Sequence, residues 1–181
     1  LRLDPSLPSK ELTEDQATAS AYLADAVQSG NYGTTLLRGV TGSGKTEVYL
    51  EAVAAALRAG RQALVLLPEI ALTAEFLKRV QERFGHRPAE WHSGATMTER
   101  RRIWRMIGQG QAQLVIGARS ALFLPYQNLG LIVIDEEHDT SYKQEEGVLY
   151  NARDMAVLRA SICGAHVVLA SATPSLESWA N

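Results

Sequence analysis

Apolar residues recur along this chain in two rhythms, and their alternation predicts strands separated by helices. Short unbroken apolar runs predict strands over 34–37, 63–67, 89–92, 114–117, 131–134 and 167–170. Between them, residues spaced three and four apart predict helices over about 45–59, 72–84, 98–107 and 152–162. A further helix opens at Thr13 and runs to about Gln28, with Gln16 completing a capping box. Gly30, Asn31 and Gly33 end it before the first strand. Gly60 and Pro68 punctuate in the same way, Asn151 caps the helix over 152–162, and residues 175–181 begin another. Strands that alternate with helices need right-handed crossovers. The fold class expected is therefore α/β, a mostly parallel sheet covered by helices on both faces, with ligands outside the carboxyl ends of the strands.

The first such strand end carries Gly39-Val40-Thr41-Gly42-Ser43-Gly44-Lys45-Thr46, a G-x-x-x-x-G-K-[ST] pattern with a strand before it and a helix after it. Gly39, Gly42 and Gly44 lack Cβ atoms, so backbone N–H groups from about Gly42 to Thr46, Ser43 included, can converge on one phosphate. Lys45 then reaches the β- and γ-phosphates of a nucleotide as a point charge, and the Thr46 hydroxyl takes a position on Mg²⁺. A flexible turn that spells the pattern by chance is the competing explanation, and the flanking strand and helix weigh against it. A second strand, 131–134, delivers Asp135-Glu136-Glu137-His138 to the same edge. Asp135 suits a carboxylate that holds Mg²⁺ through water, and Glu136 suits the base that orients the attacking water. Alone, this acidic run reads equally as a solvated strand end; paired with the phosphate loop, it reads as a P-loop NTPase.

Composition narrows the partners. The 181 residues include 46% hydrophobic ones, enough for one well-buried domain, and the formal charge of −2 excludes a grip on nucleic acid by bulk positive charge. A single cysteine, Cys163, and four scattered histidines exclude a disulfide framework and a cysteine-based zinc site. Cysteine usage suits a reducing cytosol, and no apolar run is long enough to span a bilayer. Residues 1–10, with Pro5 and Pro8, read as a linker from a preceding domain, and 11–181 as one lobe of a larger protein.

Six segments in order, GVTGSGKTEVY (39–49), LLPEIALT (66–73), WHSG (91–94), GARSALF (117–123), DEEHD (135–139) and SATPS (171–175), resemble the first RecA-like motor lobe of superfamily 2 DNA helicases, most closely those of bacterial replication restart. DEEH in place of DEAD argues against a DEAD-box RNA helicase. The resemblance implies ATP and Mg²⁺ as cofactors, single-stranded or forked DNA as substrate, 3′ to 5′ translocation, primosome or replisome partners, and a bacterial cytoplasmic location. It implies that Gln16 reads the adenine edge, an alternative to its capping role. Arg38 reads equally as a residue near the base and as a solvated strand end. Thr73, Arg119 and Ser120 would hold the phosphates of one DNA strand, although Thr73 also suits a hydroxyl bonded to its own turn. Tyr142 and Lys143 fall where the family has a loop that senses single-stranded DNA; a packing role for the tyrosine stands beside a stacking one. His138, Ser171 and Thr173 would couple nucleotide state to DNA, and Thr173 before Pro174 also suits an ordinary N-cap. The run Glu99-Arg100-Arg101-Arg102 with Arg105 reads as a solvated helix face.

The family's second lobe supplies an arginine finger worth roughly 10³–10⁵ in rate. No segment here matches that lobe or the family's zinc-binding domain, so the isolated lobe is expected to bind nucleotide and turn it over very slowly. Two further readings remain at this level: a P-loop NTPase acting on protein or small molecules, and a non-catalytic, nucleotide-gated interaction module.

Overall fold

The computed structural model describes residues 2–38, 43–136 and 152–171. Its helices are α1 (Glu14–Gln28), α2 (Ser43–Arg58), α3 (Ala74–Phe84), α4 (Met97–Gly108) and α5 (152–163). Its strands are β1 (Gly33–Arg38), β2 (Gln62–Leu66), β3 (Ala89–Trp91), β4 (Leu114–Gly117), β5 (Leu129–Glu136) and β6 (His166–Ser171). They form one six-stranded sheet in the order β1-β6-β5-β2-β4-β3, and every pairing is parallel.

Alternation along the strands builds two cores. Leu131 and Val133 of β5 join Val65, Leu114, Ile116 and Val168 on the face covered by α1, α2 and α3. Ile132 and Ile134 turn to the opposite face, where Ile103 and Ile107 of α4 and Ala156 and Ala160 of α5 meet them. Helix α2 buries Ala52, Ala54, Ala55 and Ala56 completely. Side chains this short let its backbone lie close to the sheet, which brings the first turn of α2 over the strand ends.

Local chemistry sets the boundaries. Thr13 and Gln16 complete the expected capping box at α1. The helix expected over 72–84 begins later, at Ala74, because Thr73 is extended and its hydroxyl accepts from Phe76 N at 3.1 Å; the preceding Glu69–Ala71 forms a separate 3₁₀ turn. A second 3₁₀ turn, Arg119–Phe123, follows β4 and leaves no mark in the periodicity. β5 outruns its apolar run at the carboxyl end because pairing with β6 continues to Asp135 and Glu136, and at the amino end because Leu129 pairs with Gln62 of β2. Gly117 is required where β4 passes β3: a Cβ there would sit 2.5 Å from Trp91 O.

The first residues lie against the lobe. Leu3 is buried, its N–H donates to Gln113 Oε1 at 2.9 Å, and Asp4 N donates to Phe84 O at 2.9 Å. Arg83 donates to Leu7 O at 2.7 Å. No helix among the described residues is long and apolar enough to cross a membrane.

Candidate nucleotide site at the carboxyl edge of the sheet

Because all six strands are parallel, their carboxyl ends share one edge, and Arg38 at the end of β1, the first turn of α2 and the acidic end of β5 lie there. Only β6 separates β1 from β5. Lys45, in the first turn of α2, points its Nζ at Asp135 Oδ1, 3.2 Å away, and both side chains are 1% exposed. A pair this dry forgoes most of its hydration and holds only where geometry and further hydrogen bonds compensate. The second oxygen is compensated: the Tyr49 hydroxyl donates to Asp135 Oδ2 at 2.7 Å, and Tyr49 is fully buried. The positive end of α2 adds to the same field.

Motif and spacing assigned Tyr49 no role. The signal was available, since position 49 is four residues beyond Lys45 and residues at that spacing share one helix face.

Thr46 is 1% exposed and its hydroxyl oxygen has no hydrogen-bond partner among the described residues. A buried hydroxyl left unpaired beside a buried carboxylate fits a hard cation, because both offer oxygen donors of the kind Mg²⁺ prefers. Gly44 lies on α2, and its carbonyl accepts from Gln16 Nε2 at 3.2 Å. Gln16 Oε1 meanwhile accepts from Thr13 N at 2.9 Å, so one amide ties the cap of α1 to the start of α2. An amide has two donor hydrogens and two acceptor lone pairs, so one of each stays available.

β6 inserts Ser171 between two other strand ends: Ser171 lies abreast of Arg38 of β1 on one side and Glu136 of β5 on the other. The remaining residues singled out from sequence lie farther along the edge. Thr73 caps α3 after the end of β2, and Arg119 and Ser120 are exposed at the 3₁₀ turn after β4. The Thr73 hydroxyl is thus already engaged with its own helix. Glu69 accepts from Ser93 N at 3.2 Å, joining the turns after β2 and β3, and its hydrogen bonds with Ser93 hold its carboxyl below the ordinary value. Ser43 opens α2 and Glu136 closes β5. Gly39, Gly42, His138, Tyr142, Lys143 and Thr173 lie outside the described residues.

Comparison with known proteins identifies the family and the fold. The model of the DEAD/DEAH box helicase family matches residues 8–181. The chain is similar to the replication restart protein PriA of Rickettsia felis, 49% identical over 171 residues that make up 94% of this chain and 26% of that protein. Against PriA of Bacillus subtilis the identity is 47% over 169 residues, 93% of this chain and 21% of the relative. The chain therefore spans about a quarter of the length of the curated relatives it matches. Among solved structures, RecG bound to a three-way DNA junction matches with a TM-score of 0.69 at 27% identity, covering 97% of this chain and 22% of that one. The parallel sheet covered on both faces is the RecA-like α/β fold.

Proposed function

The chain belongs to the DEAD/DEAH box helicase family, and from that premise we propose that it is the ATP-binding motor lobe of a replication-restart DNA helicase. In this reading residues 11–181 are the lobe and residues 1–10 lead in from a preceding domain. The parent protein couples ATP hydrolysis to 3′ to 5′ movement along single-stranded DNA, acts at forked DNA with primosome or replisome proteins, and works in the bacterial cytoplasm. Zinc belongs to other parts of the parent.

The observation that carries the proposal is the approach of Lys45 Nζ to Asp135 Oδ1, 3.2 Å across the strand ends. Lys45 neutralises charge on the β- and γ-phosphates, while the N–H groups from about Gly42 to Thr46, Ser43 and Gly44 among them, cradle the anion in a loop that opens at Gly39. Thr46 and Asp135 would hold Mg²⁺, which when bound offsets the charge that builds on the transferring phosphoryl group. Glu136 orients the attacking water. Gln16 uses its spare donor and acceptor on the adenine edge. Thr73, Arg119, Ser120, Tyr142 and Lys143 hold the DNA strand, and His138, Ser171 and Thr173 relay nucleotide state to it. Ser171 abreast of Glu136 supports that relay.

A second lobe of the same protein supplies the arginine finger, so this lobe alone binds ATP and hydrolyses it roughly 10³–10⁵ more slowly than the parent. The decisive measurement is the ATPase rate of the parent with and without single-stranded DNA. Stimulation by DNA is expected, with its loss in Glu136→Gln while ATP still binds. A rate indifferent to DNA would point instead to a P-loop NTPase working on another substrate.

A further inference from the structure

The arginine-rich stretch of α4, read from sequence as a solvated helix face, also carries exposed apolar side chains. The helix turns Ile103 and Ile107 into the core and leaves Met97 63% and Trp104 51% exposed, on the same side as Arg101 and Arg105. Charged residues alone keep a helix face in water; a tryptophan and a methionine exposed among them do not serve that end. Trp91, the last residue of β3, closes the opposite wall, with the Arg100 guanidinium 5.9 Å from its ring centroid. Arg100 is braced there by bonds to the carbonyls of His92 at 3.2 Å and Ser93 at 3.1 Å. Together Trp91, Met97, Arg100, Arg101, Trp104 and Arg105 line a shallow groove of about 550 Å³ that contains no carboxylate. Arg100, Arg101 and Arg105 make no ion pair among the described residues.

We propose that this groove is a second nucleic-acid site, in which a single strand lays a base against Trp104 and its phosphates against Arg101 and Arg105. The charge is local in a chain whose formal balance is −2, and it is interleaved with aromatic rings, the combination that holds single strands without reading sequence. Position favours DNA over an acidic peptide. Trp91 lies abreast of Gly117, and Ala118 N donates to Trp91 O at 3.3 Å, immediately before Arg119 and Ser120. A strand held at Arg119 and Ser120 thus reaches the groove directly, and the lobe's footprint extends outward to the β3 edge. The proposal rests on the reading that this lobe handles DNA.

The test is binding of a dT₂₀ oligonucleotide to the chain across salt concentrations, followed by Trp fluorescence quenching and by anisotropy. Arg101→Ala/Arg105→Ala is expected to lower the slope of log affinity against log salt by roughly 1.4, about 0.7 for each single-strand phosphate no longer neutralised. Trp104→Ala is expected to weaken binding about 10-fold, as when one base goes unstacked, and to remove most of the quenching. These positions are exposed, so unfolding midpoints should match the parent chain. If the variants bind as the unaltered chain does while Arg119→Ala weakens binding, the groove proposal is overturned and the DNA reading stands. If the unaltered chain fails to bind dT₂₀ even at low salt, the groove proposal is overturned, while the DNA reading is judged by the DNA dependence of the parent's ATPase. If the variants lose a polyglutamate probe yet keep dT₂₀, the groove is a site for acidic peptides and the proposal is overturned.

Discussion

Tyr49 and Asp135 are joined by a 2.7 Å hydrogen bond in which the phenol donates to carboxylate oxygen Oδ2, while Lys45 holds Oδ1 at 3.2 Å. One helix therefore fixes both oxygens of a carboxylate that lies 86 and 90 residues farther along the chain. In the proposed site, Tyr49 would influence the reaction only through the orientation of Asp135. Tyr49→Phe is expected to raise the Mg²⁺ concentration for half-maximal ATPase in the parent by about 10-fold, as for other groups that orient a metal-holding side chain. ATP affinity measured without Mg²⁺ should not change. An altered unfolding midpoint with unchanged Mg²⁺ dependence would reduce Tyr49 to packing.

Lys45 carries two separable burdens. On the proposed site, Lys45→Ala would remove a charged donor from the phosphates, so ATP affinity by calorimetry is expected to fall at least 10-fold, the equivalent of about 1.5–3 kcal/mol for a charge-assisted bond. The same change strands Asp135 without its cation, and a buried pair broken on one side costs about 3–5 kcal/mol. Chemical denaturation run beside calorimetry separates the two. Unchanged ATP affinity in a folded variant would remove Lys45 from the site.

Gln16 is engaged at both ends, yet one donor hydrogen and one lone pair remain for a base. Gln16→Glu keeps the acceptor that the capping box needs and removes both donor hydrogens, the one given to Gly44 O included. Helix stability should hold while ATP affinity drops about 10-fold, in line with one lost hydrogen bond of about 1–1.5 kcal/mol. GTP affinity serves as the control. Equal affinities for ATP in the two proteins would confine Gln16 to its capping role.

At the opposite edge of the sheet, burial holds the His166 imidazole below its ordinary value of 6.5, and its Nε2 lies 2.7 Å from Thr35 Oγ1. The unfolded chain takes up this proton first as pH falls. Stability is thus fully present above about 6.5 and is lost as pH drops through the lower folded-state value. The thermal midpoint should decline on acidification below about pH 6.5, and His166→Gln should flatten that part of the profile. An unchanged profile would contradict the assignment.

Helices, strands and the two motifs of the candidate site were legible because their determinants are close in sequence. Thr13 and Gln16 meet within one turn, and the apolar run 131–134 needs no distant partner to mark it as a buried strand. Boundaries that depended on a neighbour were not legible. β5 lengthens because β6 pairs with its polar end, and α3 shortens because the Thr73 hydroxyl is used as a cap.

The amino-acid sequence by itself determined the class of fold, the G-x-x-x-x-G-K-[ST] pattern that carries Lys45 and Thr46, and the acidic run at Asp135 and Glu136, since each is a matter of residue type and short spacing. Only the tertiary structure decided strand order. By inserting β6, the last strand described, between β1 and β5, it set Ser171 between Arg38 and Glu136; with α2 laid across the strand ends, it closed Lys45 and Tyr49 onto Asp135. It also gathered Trp91 and Trp104 into one groove with three arginines. Such contacts join residues far apart in the chain, and they follow from how helices and strands bury their apolar faces together rather than from any local pattern.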